Sequence, residues 1–217
     1  GVQVRVGADR FAQLCLARDE GAKVAVLDDG FQHRKVARDL DVVCLNPLDL
    51  NPETAVLPAG PLREAPDALE RAHLRAGYTH TWGGHESPPE ILVSNVPQFL
   101  MDMEGNRTGL DSLPAKVHVL CGTAEPHSFL QTVEGLGVGI RSSTFYPDHH
   151  GFSRRDISRC VETARQSGAE AIVTTIKDLA RVPRVVGDIP IWALGVWVQI
   201  EKGRAVLERR LISLCQE

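Results

Sequence analysis

A chain of 217 residues with 43% hydrophobic and 24% charged content is long enough to bury a real core, as one large domain or two small ones. Its formal net charge of −4 gives no overall pull towards nucleic acid or an anionic membrane. The five cysteines, Cys15, Cys44, Cys121, Cys160 and Cys215, are scattered and never form a C-x-x-C pair. They read as reduced core residues and not as a disulfide frame or a zinc site. No run reaches the roughly 18 apolar residues of a membrane span, and none reads as a signal peptide. Arginine dominates the basic residues, since only Lys23, Lys35, Lys116, Lys177 and Lys202 are lysines. A GC-rich genome explains that bias as readily as a need for phosphate-gripping guanidinium forks. The chain opens mid-pattern without an initiator Met, which reads as a fragment.

Residues 2–6 alternate apolar and polar and predict a short strand. Asp9 is placed to cap a helix over residues 10–20, with Phe11, Leu14, Cys15 and Ala17 facing inward. Gly21 ends that helix. Residues 24–27 (Val-Ala-Val-Leu) are short, apolar and unalternating, the pattern of a parallel strand buried on both faces. The strand-helix-strand order predicts an α/β class with a parallel sheet. At its end stand Asp28, Asp29, Gly30, Phe31, Gln32, His33 and Arg34, where open α/β sheets place their chemistry. Two adjacent carboxylates there suit a hard cation such as Mg²⁺. They equally suit a polar turn in which one of them caps a helix.

Residues 41–46 predict another strand, and residues 47–66, with five prolines, predict a loop. Within it, Leu-Pro-Ala-Gly-Pro-Leu stiffens the backbone just before Arg63 and Glu64. Such a loop either immobilises Arg63 to meet a phosphate in one geometry or leaves it solvated on a Pro-rich connector. A charged helix is expected over residues 67–76, a loop over 78–90 and a strand over 91–94. His80, His85 and Glu86 lack convincing metal spacing. Residues 99–110 alternate about a turn at Gly105 and Asn106 and predict a hairpin, taken as the bridge between two lobes.

The α/β pattern restarts with a strand over residues 117–121, a helix over 127–134 and a strand leading to Tyr146. The glycines at 135, 137 and 139 follow a helix and enter a strand, the reverse of a phosphate-cradling loop. Asp148, His149 and His150 form a second polar cluster at a strand end, where a carboxylate can orient an imidazole and raise its basicity. Alternatively Asp148 caps a turn and the histidines are surface residues. Ser153 is placed to cap a helix over residues 154–166. A buried strand over 171–175, a strand or pair over 191–200 and an amphipathic helix over 205–214 complete the chain.

Taken in order, Val-Gly-Ala-Asp-Arg (6–10), Leu-Asp-Asp-Gly-Phe-Gln-His-Arg (27–34), Arg-Asp-Leu-Asp-Val-Val (38–43) and Leu-Pro-Ala-Gly-Pro-Leu-Arg-Glu (57–64) resemble the tetraacyldisaccharide 4′-kinase family. Cys121 to Phe129 resembles that family's Ala-Gly-Ile-Gly-Asn-Pro-x-x-Phe, with Thr123 and Ala124 altering the glycine turn. Phe-Tyr-Pro-Asp-His (145–149) resembles its Phe-Pro-Asp-His. Thr-Ile-Lys-Asp (175–178) resembles its Thr-Glu-Lys-Asp, with Ile176 replacing an acid. The resemblance runs from residue 2 to about residue 214.

The resemblance implies a P-loop-NTPase-like parallel α/β core lacking its N-terminal part, plus a smaller second α/β lobe. Residues 1–98 would be the Walker-B-containing part of the core, 99–115 a hairpin linker and 116–217 the second lobe. The implied activity is ATP-dependent phosphorylation of the 4′-hydroxyl of an acylated glucosamine disaccharide 1-phosphate in lipid A biosynthesis. It implies Mg²⁺ on Asp28 and Asp29. Nucleotide contacts would come from Asp28, Asp29, Arg10, Gln32 and Glu64, and catalytic roles would fall to Asp29, His33, Arg63 and His149. It further implies a peripheral location on the cytoplasmic face of the bacterial inner membrane, with membrane contact through a missing N-terminal segment, this stretch itself being soluble. No G-x-x-x-x-G-K-[ST] occurs here, so residues 1–217 alone are expected not to turn over ATP. Two other readings use the same residues. One is a metal-dependent phosphoesterase built on Asp28, Asp29, His33, Asp148 and His149, and the other is a protein that binds the lipid disaccharide without turnover.

Overall fold

The computed structural model describes residues 2–51, 53–123, 125–148, 150–184 and 188–215. It divides into two compact units, Gly1–Ser94 with Ile200–Glu217, and Asn95–Gln199. Each unit is mixed α/β with mostly parallel strands, as the sequence leads one to expect.

The first unit opens with helix α1, Arg10–Asp19. Asp9 stands in extended backbone, and its carboxylate accepts from the Ala12 N–H at 3.1 Å, satisfying a donor that the helix start leaves open. Strand β1 (Val42–Cys44) pairs in parallel with β2 (Leu74–Tyr78). That strand pairs in parallel with the start of β3 (Ile91–Met101). A four-residue helix α2, Thr79–Trp82, links them, where the sequence reads as loop. Gly77 is required at its place in β2, because an added Cβ would lie 2.2 Å from Trp82 Nε1. The indole N–H donates to Leu45 O at 3.1 Å.

Three expectations in this unit are corrected. Residues 24–27 form no strand, and Val24 and Val26 are 75% and 92% exposed. Residues 2–6 form none either, and Val2, Val4 and Val6 stand in solvent. A strand is defined by lateral hydrogen bonds, and among the described residues no neighbouring strand supplies them to either segment. The helix expected over residues 67–76 is a short 3-10 turn, Pro66–Arg71, followed at once by β2. Burial of Leu74 and Ala76 in the sheet outweighs the local helical pattern.

In the second unit β3 ends in a hairpin with β4, Arg107–Thr108, around a turn fastened by the Asp102 carboxylate. Strands β5 (Lys116–Cys121), β6 (Gly139–Phe145), β7 (Ala171–Thr175) and β8 (Ile191–Lys202) follow. Their order is β8-β7-β5-β6 and every pairing is parallel. The crossovers use α3 (Pro126–Glu134) and α4 (Arg154–Gln166), and a short helix α5 (Ile176–Leu179) follows β7. Leu120, Ile157, Cys160, Ala164 and Ile172 fill one face of this sheet, and Leu100, Val117, Val119, Val133 and Val173 the other.

Both β3 and β8 run out of one unit into the other. The closing helix α6, Arg204–Leu214, therefore groups with the first unit and not with the second lobe that the sequence suggests. Its Val206 and Leu207 pack on Leu74, Ala76 and Ile91. No helix among the described residues is long and apolar enough to cross a membrane.

Candidate active site

The first unit gathers most of the residues singled out in the sequence. Residues 28 and 29 form a turn, and Asp29 takes a left-handed conformation, φ 50°. Aspartate tolerates that region better than most side chains, at a cost in strain. Gly30 behind it is buried, and an added Cβ would sit 2.7 Å from Leu27 Cβ, so only glycine fits. Two guanidinium groups converge on Asp29: Arg63 Nη1 donates to Asp29 Oδ2 at 2.6 Å, and Arg10 Nη1 to the Asp29 carbonyl at 2.9 Å. Arg10 reaches it from the first turn of α1, immediately after the Asp9 cap.

Arg63 is delivered by a tight loop. Leu57 N donates to Leu62 O at 2.8 Å, Ala59 N to Val56 O at 3.0 Å and Leu62 N to Ala55 O at 3.3 Å. The Leu57–Pro58 bond is cis. An added Cβ on Gly60 would lie 2.2 Å from the Ala55 carbonyl oxygen, which closes that position to any other residue. The stiffness read from the prolines is thus present in backbone geometry, and the same loop presents Glu64.

Glu64 is held by two further arginines. Arg34 Nη2 donates to Oε2 at 2.5 Å, and Arg71 Nη2 lies 3.0 Å from both carboxylate oxygens. The Arg34 hydrogen bond, with Arg71 adding to it, holds the Glu64 carboxyl below the usual carboxylate range. Arg71 also lies over the Phe31 ring, 4.7 Å from its centroid.

His33 is half-buried in a turn in which its N–H donates to Gly30 O at 2.9 Å. Arg38 holds that segment by donating to the carbonyls of His33 at 2.7 Å and Val36 at 3.1 Å while pairing with Asp41 at 2.6 Å. Arg38 opens the Arg-Asp-Leu-Asp-Val-Val motif, which gave it no role, and Arg71 lies in no motif. Asp28 and Gln32 are exposed at the same turn.

His149 lies outside the described residues. In the second unit Asp148 pairs with Lys177 at 3.0 Å. The neighbouring His150 stacks on Tyr146, ring centroids 4.4 Å apart, and lies 3.3 Å from Asp156. Asp156 belongs to the capping box of α4, where the Ser153 hydroxyl and N–H bring its pKa down to about 2. Asp178 is fully buried, accepts the Gly122 N–H at 2.9 Å and is ion-paired to Arg181. These are contacts that fix loops at the carboxyl ends of β5, β6 and β7.

Among the described residues no group of three or more His, Cys, Asp or Glu could hold a metal ion. Asp28, Asp29 and His33, the members of the phosphoesterase reading in the first unit, do not form such a group. Asp28 and Asp29 fit a narrower task, because Mg²⁺ is commonly held by one or two carboxylates, with waters and substrate phosphates completing its octahedron.

The family model described as tetraacyldisaccharide-1-P 4′-kinase matches residues 1–216. The chain belongs to that family. A tetraacyldisaccharide 4′-kinase from Anaeromyxobacter dehalogenans (strain 2CP-C) is 37% identical over 205 residues, spanning 84% of this chain and 52% of the relative. One from Koribacter versatilis is 32% identical over 213 residues, spanning 95% of this chain and 62% of the relative. Among solved structures, LpxK from Aquifex aeolicus in complex with ATP superposes with a TM-score of 0.66 at 26% identity, over 94% of this chain and 62% of that one. The chain spans about half the length of the first of these 4′-kinases. Asp28, Asp29, Arg63 and Glu64 thus lie in the part of the 4′-kinase family that this chain represents.

Proposed function

We propose that this chain forms part of a kinase that transfers the γ-phosphoryl group of ATP to the 4′-hydroxyl of tetraacyldisaccharide 1-phosphate, a step of lipid A biosynthesis. The observation that carries the reading is the convergence of Arg63 and Arg10 on Asp29, beside Asp28. Phosphoryl transfer asks a protein mainly for positioning and charge neutralisation, and this turn offers two adjacent carboxylates, one of them joined to the Arg63 guanidinium group.

In this reading Asp28 and Asp29 hold Mg²⁺, which when bound neutralises charge on the phosphate oxygens. Arg63, already fixed in direction by its loop, grips the transferring phosphoryl group, and Arg10 supports it. Gln32 and Glu64 contact the nucleotide, and His33 lies near the phosphates or the acceptor sugar. His149 assists deprotonation of the sugar hydroxyl. The enzyme acts peripherally at the cytoplasmic face of the bacterial inner membrane, where its lipid acceptor resides.

The test is a labelled-phosphate assay on the full-length gene product with [γ-³²P]ATP, Mg²⁺ and the acylated disaccharide 1-phosphate. D29N is expected to lower kcat by at least about 100-fold, the scale on which transition-state charge stabilisation is lost. Transfer unaffected by D29N contradicts the assignment. Hydrolysis of a generic phosphate ester with Mn²⁺ and without ATP would favour a phosphoesterase instead.

A further inference from the structure

We propose that Arg71 is a positioning residue of the nucleotide site, locking Glu64 to Phe31 so that the Pro-Gly loop and the Asp28-Asp29 turn keep one mutual geometry. The inference rests on the function proposed above, and it assigns a role to a residue that no motif marks.

Three observations carry it. Arg71 Nη2 lies 3.0 Å from both oxygens of Glu64, so it fixes the rotation of the carboxylate as well as its position. The same guanidinium lies over Phe31, two residues beyond Asp29, at 4.7 Å from the ring centroid. A guanidinium is planar and can stack and donate at once, which an ammonium cannot. Finally, the Arg71 side chain is 36% exposed, whereas Glu64's other partner, Arg34, is 67% exposed. The more buried contact is the one that water and salt weaken least.

Arg71 stands at the end of the 3-10 turn Pro66–Arg71, whose start is set by Pro66. Its backbone is therefore placed by the segment that leaves the Arg63-Glu64 loop. Arg63 makes the parallel tie to Asp29 at 2.6 Å. Two arginines, eight residues apart and each delivered by a stiff turn, thus cross-link the same pair of segments. Arg63 is assigned to the phosphoryl group and can exchange its partner for substrate, whereas Arg71 stays bound to the protein.

The test compares wild type, R71K, R71M, E64Q and the double variant R71M/E64Q in the full-length gene product, with the melting temperature of each recorded. Loss of a supporting contact of this kind typically costs about 10- to 100-fold. That loss is expected in kcat for R71M, with the KM for ATP changed less than about threefold. R71K keeps the charge and the apolar stem and serves if R71M does not fold; it is expected to recover less than half of the lost rate. If Arg71 acts through Glu64, the double variant is no slower than E64Q alone. Multiplied losses in the double variant, or kcat for R71M and R71K within twofold of wild type, would overturn the inference. Independently of activity, the ¹³C carboxyl titration of Glu64 in the full-length gene product is expected to move upward in R71M. An unmoved titration overturns the tie itself. An inactive wild type would instead contradict the proposed function, and the titration would still decide whether Arg71 holds Glu64.

Discussion

Asp29 and Arg63 are joined by a 2.6 Å ion pair although their side chains are 59% and 57% exposed. Exposed pairs contribute little to stability, so the value of this one lies in aim. R63M is expected to leave the melting temperature nearly unchanged while lowering kcat at least about 100-fold, measured by differential scanning fluorimetry and phosphate transfer on the same preparation. His118 is the opposite case, fully buried and outside the proposed chemistry. The Ser167 hydroxyl donates to Ala164 O at 2.9 Å, so Ser142 donates to Ser167 and accepts from His118 Nδ1–H, both at 2.7 Å. Nε2 is left bare and buried. Burial lowers the His118 pKa from 6.5 to about 4. The unfolded chain therefore takes up the proton first as pH falls, and the stability present above pH 6.5 is lost down to about pH 4. The loss is on the order of 3 kcal/mol. Urea unfolding midpoints between pH 7 and 4 should fall more steeply in wild type than in H118L.

Among the elements, legibility in the sequence follows how local the cause is. The caps Asp9 and Ser153 were legible because each side chain bonds a backbone group within three residues. Strands β5 and β7 were legible because an apolar run between turn residues has few alternatives. Residues 24–27 carry the same pattern but make no strand, since a strand also needs a neighbour that its own sequence does not specify. The helix expected over residues 67–76 failed for a related reason: Leu74 and Ala76 belong to a three-strand core that includes Ile91. The Pro-Gly loop was legible as stiff, and Gly60 gives the handle to test it. With an added Cβ 2.2 Å from the Ala55 carbonyl oxygen, G60A must shift backbone, and a displacement near 1 Å can cost about 100-fold in rate. It should lower kcat towards that of R63M; activity equal to wild type would show that the loop does not aim Arg63. In the second unit D178A should cost about 3–5 kcal/mol by leaving Arg181 without its buried counter-charge, read as a lowered urea midpoint.

At the scale of the whole molecule, the first unit brings Arg10, Asp28, Asp29, Gln32, His33, Arg63 and Glu64 onto three segments, with α1 and the Arg63-Glu64 loop both tied to the turn at Asp29. The motif order made that neighbourhood legible in advance. Its cross-ties, Arg38 to residues 33 and 36 and Arg71 to Phe31 and Glu64, were not legible, because each joins residues whose proximity only folding creates. The second unit is a parallel α/β layer whose polar residues at strand ends, Asp178 and Arg181 above all, hold its loops. Membership of the 4′-kinase family covers both units, and the proposed chemistry draws its named carboxylates and guanidinium groups from the first. The measurement that tests this most directly is transfer of label from [γ-³²P]ATP to the acylated disaccharide 1-phosphate by the full-length gene product, wild type against D28N and D29N. The account predicts Mg²⁺-dependent transfer to the 4′-hydroxyl in wild type and its near-complete loss in both variants. Transfer that persists in D28N and D29N, or a wild type that transfers no label, would contradict it.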